Sequence, residues 1–233
     1  MRLLELFSGT HSIGKVAKKR NIEVISLDRD LPADIQEDIM EWDYTIYPKN
    51  HFDIITASPV CLWWSNLRVS NINRRLKHIN YEVFTREMLE NDIKKYGEPM
   101  VDKVFEILEY FNPKWFWIEN PYTSRMKHYI SDLIPHYVVD YCQYGFDYQK
   151  PTIFWTNIEG FKPKRCNKKE CEKTIFYNNQ YYHLKNNGSQ SRRKQNEYLK
   201  SINKNIKIKH SNDKYERYRI PYKIISEFLD LCK

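Results

Sequence analysis

The sequence predicts an α/β fold built on a mostly parallel sheet. Three observations carry this: apolar runs of strand length recur along residues 2–157, helical periodicity fills the gaps between them, and each run ends in polar, glycine or proline turn residues. A chain of 233 residues is long enough to bury a core without cross-links. Residues 2–7 (RLLELF) form the first strand, ending at Ser8-Gly9, and residues 12–20 read as a helix with Ser12 as its expected N-cap. Glu23–Leu27 is a second strand, closed by Asp28. Phe52–Ala57 and Trp115–Ile118 are the third and fourth. Between those two, residues 85–111 read as helix, with Met100, Val104, Ile107, Leu108 and Phe111 on one face. Residues 137–142 and 152–156 look like two more strands, joined through a turn at Gly145 and close enough to be antiparallel. Residues 160–216 are rich in Lys and Asn and read as a loop-rich appendage. Residues 217–232 recover an amphipathic helical pattern through Ile220, Ile224, Ile225, Phe228, Leu229 and Leu231.

Charge divides the chain at nearly the same place. Residues 1–160 hold 19 Lys and Arg against 23 Asp and Glu, whereas residues 161–233 hold 19 against 7. A basic tail on a slightly acidic body points to a catalytic part followed by a segment that meets phosphates. Lys162, Lys164, Arg165, Arg192, Arg193 and Lys194 are the candidate phosphate contacts, and Tyr181 or Tyr182 the candidate base-stacking rings. No apolar stretch approaches the roughly 20 residues needed to span a bilayer, so a membrane role is not expected. The five cysteines (Cys61, Cys142, Cys166, Cys171, Cys232) are irregularly spaced, and Met1 leads straight into an apolar run without a secretory signal. The expected setting is intracellular and reducing.

In an open parallel sheet, ligands sit outside the carboxyl ends of the strands. The first strand-to-helix turn, Glu5-Leu-Phe-Ser-Gly-Thr-His-Ser-Ile-Gly14, supplies a tight turn at Gly9 and a helix N-terminus beyond it. Asp28 is positioned to accept hydrogen bonds from ribose hydroxyls. The turn lacks the G-x-G-x-x-G pattern of dinucleotide enzymes and the Gly-Lys-Ser/Thr ending of a P-loop. An adenosine ligand without a pyrophosphate fits better, and S-adenosylmethionine is such a ligand.

At the same sheet edge, Ser58-Pro-Val-Cys61 follows the third strand and Glu119-Asn-Pro121 ends the fourth. A thiolate next to an acid suits methylation at carbon 5 of cytosine. That carbon is a poor nucleophile until a thiolate adds to carbon 6, and the charge pushed into the ring is then neutralised by a proton at N3. Cys61 could supply the thiolate, and Glu119 could donate the proton while accepting from the exocyclic amine. A base inside a duplex is out of reach, so the target must be extruded from double-stranded DNA.

The order of these motifs resembles that of the DNA cytosine-5 methyltransferases, especially compact phage and viral members. Glu5–Gly9 is similar to the family's first cofactor motif, Asp28 to its ribose-binding acid, and Asp38-Ile39 to the residues that hold the adenine amine. Pro59-Val-Cys61 resembles the Pro-Pro-Cys nucleophile motif and Glu119-Asn-Pro121 the Glu-Asn-Val motif. Residues 144–155 resemble the segment lining the target pocket, and Arg217–Tyr222 the closing motif. The resemblance implies a Rossmann-like sheet that binds S-adenosylmethionine, mostly parallel with an antiparallel pair near its C-terminal end. It divides the chain into a catalytic domain (1–157), a small basic target-recognition region (158–216) and a returning helix (217–233). It implies cofactor contacts from Phe7, Ser8, Gly9, Thr10, Asp28, Arg29, Asp38, Ile39, Ser58 and Pro59, and catalytic roles for Cys61, Glu119, Lys150 and Thr152. Ser65 and Asn120 join Arg165, Arg192, Arg193 and Lys194 as expected nucleic-acid contacts.

The chain departs from the family pattern at three places. His11-Ser12 stand where two glycines are usual, Val60 replaces the second proline, and Lys150 and Thr152 occupy the comparable arginine positions. Two alternatives therefore stay open: an inactive nucleic-acid binder of the same fold, and an enzyme acting on cytosine in RNA. Cys166 and Cys171 have zinc-ligand spacing, with His183 as a candidate third ligand. No fourth ligand is apparent from the sequence, so no metal is assigned.

Overall fold

The computed structural model describes residues 1–130, 134–177, 179–183, 185, 197, 201, 215 and 218–233. Six strands form the main sheet: β1 (Arg2–Leu6), β2 (Glu23–Leu27), β3 (Ile54–Ala57), β4 (Trp115–Pro121), β5 (His136–Asp140) and β6 (Pro151–Thr156). Their spatial order is β2-β1-β3-β4-β6-β5. The first four run parallel, and β6 lies antiparallel between β4 and β5. The strand expectations hold, including the antiparallel pair. Two ends differ: β4 runs on past the expected end at Ile118 through Glu119–Pro121, and β5 stops at Asp140, leaving Cys142 in a 3-10 turn (Tyr141–Tyr144) closed by Gly145 at φ 101°.

The strands are apolar on both faces because both faces are covered. Leu4, Leu6, Ile55, Ile118 and Trp155 turn to one side, where α4 (Glu98–Phe111) packs Val101, Val104, Ile107 and Phe111. Leu3, Ile54, Trp117, Val139 and Phe154 turn to the other. That face is covered by α1 (Ser12–Lys18) and by the last helix, α5 (Tyr222–Leu231). Phe228 of α5 stacks on Trp117 at 5.3 Å and on Phe161 at 4.3 Å between ring centroids. Ile158 and Phe161, which the sequence analysis groups with the appendage, are therefore part of this core.

Two helix expectations and one loop expectation need refinement. The stretch 85–111 is helical as expected but not uniformly α: α3 (Arg86–Asp92) passes through a π-turn at Ile93–Gly97 into α4, while α2 (Asn66–Val69) is a separate short helix. Pro99 has no N–H to continue an α ladder. At Gly97 a Cβ would stand 2.9 Å from the Trp64 ring, so only glycine allows this approach. The final helix starts at Tyr222 instead of 217, since Pro221 fixes its entry. Ile220 precedes it, buried with its N–H on Ser12 Oγ at 3.3 Å. Leu231 is exposed. Within the stretch expected to be loop, β7 (Thr174–Tyr177) and β8 (Gln180–His183) pair as an antiparallel hairpin.

The register gathers the functional loops. Leu6 pairs with Leu27 and Ala57, and Ala57 pairs with Ile118. The residues after β1, β2 and β3, namely Phe7–Gly9, Asp28 and Ser58–Cys61, thus emerge at one edge, next to Glu119-Asn120 near the end of β4. Because β6 is antiparallel and Pro121 pairs with Thr152, Lys150 and Thr152 enter at that same edge.

Candidate active site

The first turn is held by carboxylates on both sides. Phe7, Gly9 and His11 all have positive φ, at 56°, 52° and 55°. Only Gly9 takes such a conformation without a steric cost. Asp28 fixes the turn: one oxygen accepts from Gly9 N–H at 2.8 Å, and the other from the N–H groups of Asp30 and Leu31 at 3.0 and 2.8 Å. A carboxylate offers about four lone-pair positions, so these bonds leave room for a further donor. Ser8 Oγ is buried at this turn without a hydrogen-bond partner among the described residues. A buried, unsatisfied hydroxyl fits a polar ligand at this place. Thr10 Oγ1 is 2.9 Å from Ser12 Oγ, which corrects the expectation that Ser12 caps α1.

The actual cap position is His11, with no capping side chain of its own. Glu5, on β1, does the work instead, its two oxygens accepting from Ile13 N–H and Gly14 N–H at 3.1 Å each. A Cβ on Gly14 would fall 2.6 Å from Glu5 Oε2, so glycine is required there. Glu5 is 2% exposed, and burial pushes its carboxyl up to about 7, against the opposing pull of those two amides.

Beyond β2, Arg29 pairs with Asp30 at 3.0 Å and with Asp38 at 3.2 Å. Asp38 also accepts from Met40 N–H, and Ile39 is buried. Ser58 N–H bonds to Leu6 C=O at 3.3 Å, tying the nucleophile loop to the first turn. Pro59 is buried, and its carbonyl accepts from Asn120 Nδ2 at 2.9 Å. Asn120 therefore braces the loop that carries Cys61, while its own Oδ1 is buried without a partner among the described residues.

Cys61 is half-buried. Burial pushes its thiol up, the Glu119 carboxylate pushes it further, and the Lys150 ammonium opposes both. Glu119, 6% exposed, accepts from Tyr141 OH at 3.0 Å and pairs with Lys150 Nζ at 3.4 Å. Lys150 also sits 4.8 Å from the centre of the Tyr141 ring. Thr152 is fully buried and donates from Oγ1 to Lys150 C=O at 3.1 Å, so it positions the lysine. Thiol, carboxylate and ammonium thus act on one another at the ends of β3 and β4 and the start of β6.

No family model matches the sequence. The chain is 38% identical over 237 aligned residues to a protein of Frog virus 3 (isolate Goorha) named "Probable DNA (cytosine-5)-methyltransferase", covering 100% of both. The chain belongs to the DNA (cytosine-5)-methyltransferase family. Among solved structures, the Entamoeba histolytica methyltransferase EhMeth is similar at 11% identity with a TM-score of 0.52, over 100% of this chain and 97% of that one. That likeness supports the fold. The Dnmt2 methyltransferase of S. pombe aligns at 13% identity and a TM-score of 0.41, over 70% of this chain and 51% of the other.

Other expected contacts of this methyltransferase lie outside the pocket just described. Ser65 accepts from Leu67 N–H at 3.2 Å and caps α2. Arg165 is engaged by the buried Asp140, Nε to Oδ2 at 2.8 Å. Arg192, Arg193 and Lys194 lie outside the described residues. Sequence reasoning missed Tyr141, Asp140 and the capping role of Glu5. No local pattern marks Tyr141, which reaches Glu119 only because β6 brings β5 within one strand of β4.

Proposed function

We propose that this family member transfers a methyl group from S-adenosylmethionine to carbon 5 of a flipped cytosine in double-stranded DNA, through a covalent adduct of Cys61. The observation that carries the proposal is the convergence of Cys61, Glu119 and Lys150 on one sheet edge beside the Gly9 turn. The full-length viral relative's name supports DNA as the nucleic acid.

The residues of the first turn suit an adenosine ligand: Ser8 Oγ and a free position on Asp28 face its polar groups, and Asp38-Ile39 lie beyond them. When bound, S-adenosylmethionine supplies an electrophilic methyl group to carbon 5. The chain does the rest. Cys61 gives its proton to water and its sulfur adds to carbon 6 of the ring. Glu119, protonated, gives its hydrogen to N3 as electron density moves into the ring. In the free protein the Glu119 charge opposes the thiolate. Once Glu119 is protonated and facing N3, that opposition disappears, and Lys150 is left to favour the thiolate. After methyl transfer, loss of the carbon-5 proton to water re-forms the double bond, the carbon–sulfur bond breaks, and the N3 proton returns to Glu119. Lys150 stands where an arginine is usual and acts as a point charge, without the bidentate geometry of a guanidinium. The basic stretch at Arg192, Arg193 and Lys194 supplies phosphate contacts, with binding that weakens as salt rises.

Incubating the protein with methyl-labelled S-adenosylmethionine and either duplex DNA or RNA tests this directly. The expected result is label in DNA, recovered as 5-methylcytosine. Label only in RNA would change the substrate, label on the exocyclic nitrogen would overturn the covalent route, and no label despite cofactor binding would favour the inactive binder.

A further inference from the structure

Away from the methyl-transfer site, three of the remaining four cysteines come together with a histidine. Cys142, Cys166, Cys171 and His183 present their Sγ and ring-nitrogen atoms within 4.8 Å of one another. All three cysteines are free thiols; Cys142, Cys171 and His183 are buried and Cys166 is half-buried. Cys142, the ligand not apparent from the sequence, arrives from the 3-10 turn that follows β5. Cys166 is held by its N–H on Asp140 Oδ2 at 2.9 Å. Cys171 precedes β7, and His183 ends β8 directly opposite Thr174.

We propose that these four residues bind a structural zinc ion as a Cys3His site. In a tetrahedral zinc centre, Zn–S and Zn–N bonds of about 2.3 and 2.0–2.1 Å place sulfur and nitrogen ligand atoms about 3.6 Å apart and two sulfurs about 3.8 Å apart. His183 Nε2 stands 3.5 Å from Cys166 Sγ and 3.7 Å from Cys171 Sγ. A thiol–imidazole hydrogen bond explains one such contact. It does not explain two sulfurs facing the same ring nitrogen with a third thiol beside them, because that nitrogen has a single lone pair or a single N–H. A divalent cation at the centre satisfies all four atoms at once. The Gln143 amide nitrogen points at the same sulfurs, 3.6 Å from Cys171 and 3.9 Å from Cys142. Amide donors turned toward sulfur suit thiolates, which is the state zinc imposes on its cysteines.

Zinc is favoured over other metals by the soft three-sulfur, one-nitrogen donor set. Four protein ligands leave no open position, so the ion is structural and takes no part in methyl transfer. Its placement gives it a task. It fastens the segment 166–171 and the β7–β8 hairpin to the turn whose first residue, Tyr141, donates to Glu119 at 3.0 Å. The ion therefore ties the start of the basic region to the wall of the catalytic pocket.

The test is metal analysis of the protein purified after expression with zinc, by plasma mass spectrometry, beside the Cys142→Ser and His183→Ala variants. The expected result is about one zinc per chain in the unaltered protein, at least a severalfold loss in both variants, and a melting temperature lowered by several degrees on prolonged chelation. If the variants do not fold, cobalt(II) loaded into the unaltered chain decides. Tetrahedral thiolate coordination gives intense visible bands and a sulfur-to-metal charge-transfer band, displaced by stoichiometric zinc. Less than a tenth of a zinc per chain in folded protein, zinc retained in both variants, or only the weak spectrum of six-coordinate cobalt would overturn the site. Metal content is read without methyl transfer, so its outcome is independent of the catalytic proposal.

Discussion

The two proposals put the same side chain to opposite uses at Cys61 and at the Cys142–Cys166–Cys171 cluster, and the neighbours of each account for the difference. Cys61 stands alone on a loop after β3, facing one carboxylate and one ammonium. The three clustered thiols face one another, His183 and the Gln143 amide. A thiol beside an acid and a base at a sheet edge can enter and leave a bond with a passing substrate. Thiols that converge on one point in the protein are satisfied only by something that stays. Burial alone does not separate the two, because Cys61 and Cys166 are both half-buried.

The largest effect that sharpens this contrast is expected at Cys61. Cys61→Ala should lower methyl transfer by roughly 10⁴-fold or more. S-adenosylmethionine binding, measured by calorimetry, and the melting temperature should stay close to those of the unaltered protein. A coincident loss of folding would mean that Cys61 is structural like the others.

Glu119→Gln is expected to act in two directions. Methyl transfer should fall roughly 10²–10⁴-fold, because the amide has no proton of suitable acidity for N3. In the free protein, alkylation of Cys61 by iodoacetamide should become faster, since the charge that pushes the thiol up is gone. Slower alkylation would place Glu119 on the activating side and contradict the electrostatics described above. Peptide mapping of the label reports the clustered cysteines in the same experiment.

Asp28→Ala should weaken S-adenosylmethionine binding by about 1.5–3 kcal/mol, the worth of a hydrogen bond to a charged group. The change also releases Gly9 N–H, so an unchanged dissociation constant would remove both the ribose role and the turn-fixing role of Asp28.

Glu5 gives an effect that moves with pH. Its folded-state carboxyl is raised to about 7 from an ordinary 4.5. Between those values the unfolded chain has lost the proton and the folded chain retains it, so this group's stabilisation is complete below pH 4.5 and declines as pH rises through 7. The span corresponds to a few kcal/mol at most. Melting curves between pH 5 and 8 should show this decline, and it should flatten in Glu5→Gln, which keeps an acceptor for α1. An identical slope in the variant would assign the pH dependence to other groups.

The sheet and the cofactor edge were legible because their signals are local: a strand of four to seven residues ends in its own turn, and Gly9, Asp28, Cys61 and Glu119 each stand at such an end. What escaped the sequence depends on partners distant along the chain. Ser12 looked like a cap because nothing local shows that Glu5 reaches across from β1. That residue 97 must be glycine follows from the Trp64 ring pressed against it. Tyr141 and Cys142 gained their neighbours only through the β4-β6-β5 pairing, which brings one onto Glu119 and the other toward Cys166, Cys171 and His183. The ion pair of Arg165 with the buried Asp140 was likewise not legible, since the two residues are distant in sequence.

The covalent role of Cys61 is tested most directly with duplex DNA carrying 5-fluorocytosine at the target position. Fluorine cannot leave carbon 5 as a proton does, so the adduct that normally resolves is trapped. In the presence of S-adenosylmethionine, a protein–DNA species stable to denaturation should form, map to Cys61, and be absent in Cys61→Ser. Methylation of ordinary DNA without any such species on the fluorinated duplex would contradict the covalent mechanism.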